Sequence, residues 1–289
     1  MGVSYLELPE VRVKYYVFGS GEPRLLVTAG IHGDEVTGVY AAYRLVEYLR
    51  SLGTLRGTVV VVPVVNVLGF AARTRFNPVD YVDMNRVFPE GAGSAVTRRI
   101  VQAVWEMVES SNYVIDLHCA GLSSYQYVLA LYEEFPKVRE FTELIPWDTV
   151  VESTGLRGQL FVEATHRGIP SAIVETVGGD GYYSEEWGEK LFEVVLGLLR
   201  EVGIAEVFRQ PGAVHRTYYG RLVQVRAPAE GFPRPAVEPG SSVREGDVLC
   251  YVGGCPVASP VPGKLIKVSK GTYVFEGDSV ASVAPLKRG

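Results

Sequence analysis

The stretch RLLVTAGIHGDE, residues 24–35, decides the fold of this chain. Its first part, Arg24–Thr28, is an apolar run of strand length, and a turn containing glycine follows it. Apolar residues then recur at helical spacing over Glu35–Leu52, which predicts a helix. A buried strand that passes through a short turn into a helix is the basic unit of an α/β protein. We therefore expect a sheet with helices packed on it.

The same alternation continues through the first two-thirds of the chain. Thr58–Val65 is β-branched nearly throughout, as strands covered on both faces are. The other predicted elements are a helix Ala95–Ser110, a strand Tyr113–Leu117, helices near Glu133–Leu144 and Gly158–Arg167, a strand Ser171–Glu175 and a helix Glu185–Val202. This order predicts a mixed, mostly parallel sheet flanked by helices. The stretch Asn66–Gly93 has no periodicity, and we interpret it as a long polar loop of the kind that is usually functional.

The sequence changes character after about Gln210, where helical periodicity ends and Pro and Gly become frequent. A repeat marks this tail: APAEG at 227–231 matches SPVPG at 259–263, and VREGD at 243–247 matches VFEGD at 274–278. Two similar halves of short strands and glycine turns predict a small all-β barrel or sandwich formed by duplication. We predict two domains, 1–210 and 211–289, with the boundary within Arg209–Gly212.

Composition excludes several classes of protein. A chain of 289 residues that is 47% hydrophobic and 21% charged can bury a full core, and a net charge of −5 offers no basic face to nucleic acid. We find no apolar run long enough to span a membrane and no signal peptide. The three cysteines, Cys119, Cys250 and Cys255, make a poor disulfide framework, so we expect a cytoplasmic protein. An excess of Arg over Lys and few amide side chains indicate a thermophile, in which pairing of Cys250 with Cys255 stays open.

Two histidines follow apolar strands at matching places. His32 and Glu35 lie three residues apart in the turn after the first strand, and His118 ends the strand predicted at Tyr113–Leu117. The carboxyl ends of strands in an open α/β sheet are where ligands bind. Two histidines and a glutamate with one open position are typical of catalytic zinc. The sequence therefore predicts a zinc site at these three residues.

Two acidic residues lie on strands near the predicted zinc site. Asp116 stands two residues before His118 and on the same side of the strand, where it could orient the histidine or be a buried structural carboxylate. Glu175 is again at the carboxyl end of a strand. Beside zinc it could take a proton from water; otherwise it would neutralise a loop arginine.

The long loop contains a candidate clamp for an anionic substrate, Asn85–Arg86. A guanidinium presents a planar fork that matches a carboxylate, and the neighbouring amide adds a donor. Equally, Arg86 would pin the loop by pairing with Asp80 or Asp83. Both interpretations stay open from the residues alone.

Four motifs in this order, AGIHGDE, DMNRVFPEG, VIDLHCAG and AIVETVGG, resemble those of the succinylglutamate desuccinylase/aspartoacylase family. The resemblance covers the chain from about Pro23 to Val202. It implies the fold of the zinc carboxypeptidases and one zinc ion per chain, held by His32, Glu35 and His118. It also implies a general base at Glu175 and a carboxylate-binding pair at Asn85–Arg86.

The resemblance implies two further site residues and shows one departure. Arg75 looks like the arginine that polarises the scissile carbonyl, and Tyr273 like a tyrosine that the C-terminal part brings in. The tail looks like the family's C-terminal barrel, which is similar to biotinyl/lipoyl domains. In several members a polar or basic residue that contacts substrate follows the third zinc ligand, whereas here Cys119-Ala-Gly121 does. This departure is compatible with a different acyl-amino acid or amide as substrate.

The function that the resemblance implies is a zinc-dependent amidohydrolase, a deacylase that cleaves the amide bond of a small N-acyl amino acid or a related amide bearing a carboxylate. Two alternatives stay open: a zinc carboxypeptidase acting on peptide C-termini and, from another class, a metal-free binding or carrier protein. The hairpin between the repeats, Tyr251–Val257, holds no lysine that could carry biotin or lipoate. As partners we expect a small anionic substrate, no nucleic acid and no membrane, and a homo-oligomer stays open.

Overall fold

The structure is a computed structural model of the chain and describes residues 2–8, 11–206 and 214–287. The predicted domain boundary at Arg209–Gly212 lies outside the described residues. The helices are α1 (Val36–Ser51), α2 (Val67–Ala72), α3 (Ala95–Glu109), α4 (Pro136–Leu144), α5 (Leu160–His166) and α6 (Glu185–Glu201), with a 3-10 helix at Met84–Arg86. None of the helices in this described part has the length and hydropathy needed to cross a membrane.

Ten strands form one mixed sheet: β1 (Gly2–Glu7), β2 (Arg12–Gly19), β3 (Arg24–Ala29), β4 (Thr58–Val62), β5 (Tyr113–Gly121), β6 (Tyr127–Ala130), β7 (Thr149–Glu152), β8 (Ser171–Gly179), β9 (Tyr182–Tyr183) and β10 (Thr217–Tyr219). Their order in the sheet is β1-β2-β4-β3-β5-β8-β6-β7-β10, with β9 paired to β8. The strands β4, β3, β5 and β8 run parallel at the centre, and β6, β7 and β10 form a second parallel group. The predicted mixed, mostly parallel sheet flanked by helices is confirmed.

Helices cover both faces of this sheet. Because side chains alternate along a strand, Leu25 and Val27 of β3 pack with α1, α4 and α6, whereas Leu26 packs with α3 and α5 on the other face. Every residue of β4 is buried, as its β-branched sequence predicted. The sheet is therefore the middle layer of three, and ligands can reach it at the ends of its strands.

The ends of the parallel strands meet at one edge. In register, Ala29 at the end of β3 lies opposite Leu117 of β5, and His118 of β5 lies opposite Glu175 of β8. The turn after β3 and the last residues of β5 and β8 are therefore neighbours. This edge holds the candidate functional site.

Several predicted elements differ from the structure for local reasons. The strand predicted at Thr58–Val65 ends at Val62 because Pro63 has no N–H for a sheet ladder. The stretch Asn66–Gly93 is not wholly a loop, since it contains α2 and the 3-10 helix. Both helices are too short to show a helical period. The side-chain oxygen of Asn66 caps α2 by accepting from the Gly69 N–H at 2.9 Å.

The tail forms two small antiparallel sheets that share one apolar cluster, which contains Leu249, Leu265 and Val283. The four-stranded sheet has the order β11-β17-β16-β13, and the three-stranded sheet β12-β14-β15. These strands are β11 (Val223–Arg226), β12 (Arg234–Pro235), β13 (Ser242–Val243), β14 (Val248–Val252), β15 (Cys255–Ala258), β16 (Gly263–Val268) and β17 (Ser279–Pro285). The preceding strand, β10, lies within the predicted tail but joins the large sheet. All three cysteines are free.

The two repeats of the tail make equivalent hydrogen bonds. The N–H of Ala227 donates to the carbonyl of Asp278 at 2.8 Å, and the N–H of Ser259 donates to that of Asp247 at 2.9 Å. Each repeat therefore begins against the end of the other. The matching sequences of the two repeats thus make matching contacts, each with the other repeat.

Candidate metal centre and active site

The structure brings together the three residues predicted to bind zinc. His32 lies in the turn after β3, Glu35 at the start of α1 and His118 on β5, and all three are buried. The two carboxylate oxygens of Glu35 lie 2.8 Å from His32 Nδ1 and 2.9 Å from His118 Nδ1. The two Nδ1 atoms are 3.2 Å apart, and one donor atom from each residue falls within 4.8 Å of the others. This group could hold a metal ion.

A glycine shapes the turn that carries two of these residues. A Cβ atom at Gly33 would lie 2.0 Å from the backbone carbon of Gly69 in α2. Only a residue without a side chain lets the turn pass this close to α2. The AGIHGDE motif therefore fixes His32 and Glu35 by backbone packing as well as by their own contacts.

A carboxylate lies behind each histidine. His32 Nε2 is 3.0 Å from Asp83 Oδ1, and His118 Nε2 is 2.7 Å from Asp116 Oδ2. Asp116 is fully buried and also accepts from the Thr28 hydroxyl at 2.7 Å. A carboxylate at Nε2 favours the tautomer that carries its proton there, which leaves the Nδ1 lone pair of each ring free for a metal.

Asp83 is the orienting residue that the sequence interpretation missed. Its neighbours at the site hold its pKa well below the usual range: burial opposes ionisation, but the contact with His32 and the charges of Arg75 and Arg86 outweigh it. Its side chain also caps the 3-10 helix by accepting from the Asn85 N–H. This capping position before Met84–Arg86 is the sequence signal that could have identified Asp83.

Replacing Asp83 by Asn is expected to weaken metal binding at this group about 10–100-fold, the usual cost of losing the partner behind a histidine ligand. Asn keeps the oxygen that caps the 3-10 helix but loses the negative charge at Nε2. Competition with a chromophoric chelator measures the affinity. Asp80→Asn is the matched control, because Asp80 lies in the same loop and accepts from Ser94 and Thr97. Equal affinities for the Asp83 variant and the parent protein would contradict the expectation.

Glu175 lies beside the metal group with an unused oxygen. Its Oε2 is buried and has no hydrogen-bond partner among the described residues. Burial raises the pKa of Glu175 to about 7, although the charge of His118 opposes this shift. A carboxylate with such a pKa can exchange a proton near neutral pH.

Tyr127 of β6 faces Glu175 across an antiparallel pair and was not predicted as a site residue. Its ring is buried, and burial together with the charges of Glu175 and Glu35 raises the pKa of its hydroxyl well above the usual value. The phenol therefore stays protonated and can donate a hydrogen bond into the site. No hydrophobic period predicted the short strand β6, so Tyr127 could not be identified from the sequence as a neighbour of Glu175.

Metal binding is expected to expel a proton from Glu175. The metal-free pKa is about 7, and a nearby cation favours the charged carboxylate, so binding lowers this pKa. At pH 7 the wild-type protein should release more protons on binding zinc than Glu175→Gln does, and the difference should vanish near pH 9. Calorimetric titrations in two buffers of different ionisation enthalpy measure it. Equal proton release by both proteins at pH 7 would show that Glu175 is already ionised.

The predicted loop residues reach the same edge of the sheet. The Arg75 guanidinium lies 3.0 Å from Asp83 Oδ2 and 3.5 Å from Glu35 Oε1. Asn85 is buried, and its Oδ1 accepts from the Leu160 N–H at 2.9 Å, which leaves its amide hydrogens for a ligand. Arg86 donates to the Asn85 carbonyl at 2.7 Å. Asp83 thus pairs with Arg75 and His32, and no ion pair of Arg86 with Asp80 or Asp83, the alternative interpretation of Arg86, occurs among the described residues.

The loop that carries Asn85 and Arg86 packs against the segment before α5. The Phe88 N–H donates to the Gly158 carbonyl at 3.0 Å. Gly158 has φ +86°, and a Cβ there would lie 2.1 Å from the Arg86 carbonyl oxygen. Glycine at this position permits the close approach that fixes the backbone of the candidate clamp.

One cavity of about 420 Å³ joins these residues. It is lined by His32, Glu35, His118, Glu175, Arg75, Asn85, Arg86 and Tyr127, and on another side by the tail, through residues that include Leu222, Gln224, Ile266, Lys267, Ser279 and Ser282. This volume suits a small molecule. The tail therefore forms a wall of the cavity.

The structure does not bring Tyr273 to this cavity. Its ring packs edge-on against Phe232 and Phe275 in an exposed aromatic group of the tail, with ring centroids 5.3 and 5.5 Å away. The tyrosine that lines the cavity is Tyr127, from the large sheet. A role of Tyr273 in substrate binding stays a prediction, and its position in the tail packs its ring with aromatic neighbours.

The fold and the site together define an α/β protein with a candidate metal centre at the carboxyl edge of its sheet. Residues 21–186, more than half of the chain, match the sequence profile of the succinylglutamate desuccinylase/aspartoacylase catalytic domain. The chain belongs to the succinylglutamate desuccinylase/aspartoacylase family, as its four motifs predicted.

Similar proteins include one curated relative and many solved structures. The N-alpha-acetyl-L-2,4-diaminobutyric acid deacetylase of Halomonas elongata is 35% identical over 113 residues, which are 38% of this chain and 33% of that protein. The chain thus matches about a third of the length of this relative.

The solved structures agree over nearly the whole chain. A succinylglutamate desuccinylase/aspartoacylase from Rhodobacter sphaeroides has a TM-score of 0.84 at 24% identity, covering 100% of this chain and 96% of the other. The ectoine utilization protein EutE (DoeB) from Ruegeria pomeroyi, solved with product bound, has a TM-score of 0.81 at 21% identity, covering 95% and 89%. At these identities the structures show a shared fold.

Proposed function

We propose that this chain is a zinc-dependent deacylase that hydrolyses the amide bond of a small N-acyl amino acid or a related amide bearing a carboxylate. One observation carries the proposal: Glu175, whose Oε2 atom is buried and has no hydrogen-bond partner among the described residues, shares a cavity with the converging donors of His32, Glu35 and His118. Family membership and the deacetylase name of the Halomonas relative support it. The zinc carboxypeptidase-like fold and the likeness of the tail to biotinyl/lipoyl domains belong to the same proposal.

The donor set fits one zinc ion. Two imidazole nitrogens and a carboxylate are ligands that zinc prefers, and three protein ligands leave a position for water. Bound by His32, Glu35 and His118, zinc would supply Lewis-acid chemistry, lowering the pKa of a water molecule and polarising the substrate carbonyl. The carboxylates behind the two histidines favour this use of Nδ1.

Residues of the chain would carry out proton transfer, stabilise the charge on the carbonyl oxygen and bind the substrate carboxylate. Glu175 accepts a proton from the attacking water and returns it to the leaving amine, and a nearby cation favours the ionised carboxylate that the first transfer needs. Arg75 donates to the carbonyl oxygen as negative charge develops on it. Asn85 and Arg86 hold the substrate carboxylate and thereby orient the amide toward Glu175. The molecule that the protein binds in this proposal is accordingly a small anionic substrate.

The dimensions of the cavity favour a small substrate over a peptide. A volume of about 420 Å³ that is bounded on one side by the tail accommodates an N-acyl amino acid more readily than a polypeptide chain. A carboxypeptidase would use the same residues on a peptide C-terminus, so the two functions differ in the substrate admitted.

A substrate panel tests the proposal directly. The zinc-loaded protein is incubated with N-acetyl and N-succinyl amino acids and with short peptides, and the released amine is quantified. We expect turnover of at least one N-acyl amino acid. Turnover of peptides alone would establish the carboxypeptidase instead, and zinc content well below one per chain without any turnover would favour a binding protein.

A further inference from the structure

A lysine of the tail lies against the strand that carries His118. Lys267 is on β16, and its ammonium group lies beside Gly121, the last residue of β5. A Cβ atom at Gly121 would lie 3.1 Å from Lys267 Nζ and 3.2 Å from its Cε. Gly121 has φ +117°, a conformation that favours glycine. The absent side chain of Gly121 therefore makes room for Lys267.

Main-chain contacts fix the position of this lysine. Ser124 and Lys267 form an antiparallel bridge, the Tyr125 N–H donates to the Ile266 carbonyl at 2.8 Å, and the Val268 N–H donates to the Ser123 carbonyl at 3.2 Å. The segment after Gly121 thus continues the pairing of β16. Because backbone hydrogen bonds set this register, the tail presents Lys267 to the cavity at a defined place.

Lys267 is the charged side chain on the tail's wall of the cavity. Among the described residues it has no carboxylate partner, whereas Lys264 on the same strand contacts Asp148 and Thr149. The neighbouring hydroxyls of Ser279 and Ser282 both donate to Gln224 Oε1, at 2.7 and 2.8 Å. The wall therefore offers a ligand one positive charge without a counter-charge.

The acidic residues that line the cavity are Glu35 and Glu175, both at the metal group. A cationic side chain of a substrate would lie near Lys267, Arg75 and Arg86, and the cavity offers it no carboxylate apart from those at the metal group. An anionic group would instead find the unpaired ammonium of an exposed lysine, and a charge-assisted hydrogen bond to that ammonium favours charged ligands over neutral ones.

We propose that Lys267 is a specificity-determining residue that binds a second carboxylate of the substrate, distinct from the one held by Asn85 and Arg86. This inference rests on the proposed function. The second carboxylate belongs either to the acyl chain or to the side chain of the amino acid, and both present the same chemistry to the ammonium. The tail thus places a basic group next to the uncharged segment Cys119-Ala-Gly121.

The test compares four N-acyl compounds that differ in charge: N-acetylalanine, N-acetylaspartate, N-succinylalanine and Nα-acetyl-diaminobutyrate. For the better of the two dicarboxylates, Lys267→Met should lower kcat/KM about 10–100-fold, chiefly through KM, because a charge-assisted hydrogen bond is lost. N-acetylalanine should change by less than about threefold. Which dicarboxylate responds tells whether the acyl chain or the amino acid carries the second carboxylate.

Charge reversal gives a test in the opposite direction. Lys267→Glu should raise kcat/KM for Nα-acetyl-diaminobutyrate above the wild-type value, which a merely destabilised protein cannot do. Lys270→Met and Lys270→Glu are the controls, since Lys270 is exposed and lies outside the cavity. Equal losses for N-acetylalanine and both dicarboxylates in Lys267→Met would overturn the proposal.

Binding measurements separate this proposal from the proposed function. The dissociation constants of the four compounds are measured calorimetrically on the zinc-loaded Glu175→Gln protein, with and without Lys267→Met. Tighter binding of a dicarboxylate that depends on Lys267 supports the specificity role even if wild-type protein hydrolyses none of the four. Affinities that do not depend on Lys267 refute that role even if hydrolysis is found.

Discussion

Glu175→Gln lowers kcat by about 10²–10⁴ and leaves zinc binding intact: this is the result we expect if Glu175 moves the proton. General acid–base groups contribute roughly this factor. The substitution keeps the shape of the side chain but removes the group that accepts a proton from water. Glu175 Oε2 has no hydrogen-bond partner among the described residues, so the amide breaks no contact of that oxygen.

Steady-state kinetics and metal analysis of the same preparation measure both parts of this expectation. Glu152→Gln is the matched control, because burial raises the pKa of Glu152 to about 7 as well. Its carboxylate accepts from the Tyr132 and Glu133 N–H groups and lies outside the lining of the cavity. If the Glu175 variant keeps full activity, the mechanism proposed above is wrong.

His118→Ala should lose both zinc and turnover. The substitution removes one of the three donors and leaves Asp116 buried without its imidazole partner. We expect zinc affinity to fall by more than the roughly 100-fold that follows loss of an orienting partner, and turnover to fall with it. Glu175→Gln and His118→Ala therefore separate proton transfer from metal binding.

Elemental analysis after dialysis and kinetics at saturating zinc test this second expectation. His166→Ala is the control, since His166 lies on α5 and packs edge-on against Phe135, with ring centroids 5.2 Å apart. It should keep one zinc per chain and full turnover. Stoichiometric zinc in His118→Ala would place the metal elsewhere.

The metal group and Glu175 could be predicted from the sequence because the strands that carry them are long and apolar. His32, His118 and Glu175 each follow or end an apolar run of the sequence, although β5 and β8 continue beyond His118 and Glu175. Parallel pairing places these parts of the strands together. The position of Asp116 beside His118 could also be predicted, since residues two apart lie on the same side of a strand.

The remaining parts of the cavity depend on contacts that no local pattern reveals. Tyr127 reaches Glu175 through an antiparallel pairing of the short strand β6. Lys267 reaches the cavity because the tail docks on the large domain, a contact between residues far apart in sequence. The resemblance suggested a tyrosine from the tail, but among 17 tyrosines it did not select the one that lines the cavity.

The junction between Ser123–Tyr125 and β16 combines backbone hydrogen bonds with a side-chain contact, the Lys264 ammonium 4.6 Å from the centre of the Tyr125 ring. Backbone hydrogen bonds make few demands on side-chain identity, so an exposed position of β16 such as Lys267 can change while the register of docking is kept. Substitutions in the tail could therefore change which carboxylate-bearing substrates the protein binds, while the metal group and Glu175 in the large sheet stay the same. Selectivity and reactivity would then evolve as separable traits within one polypeptide.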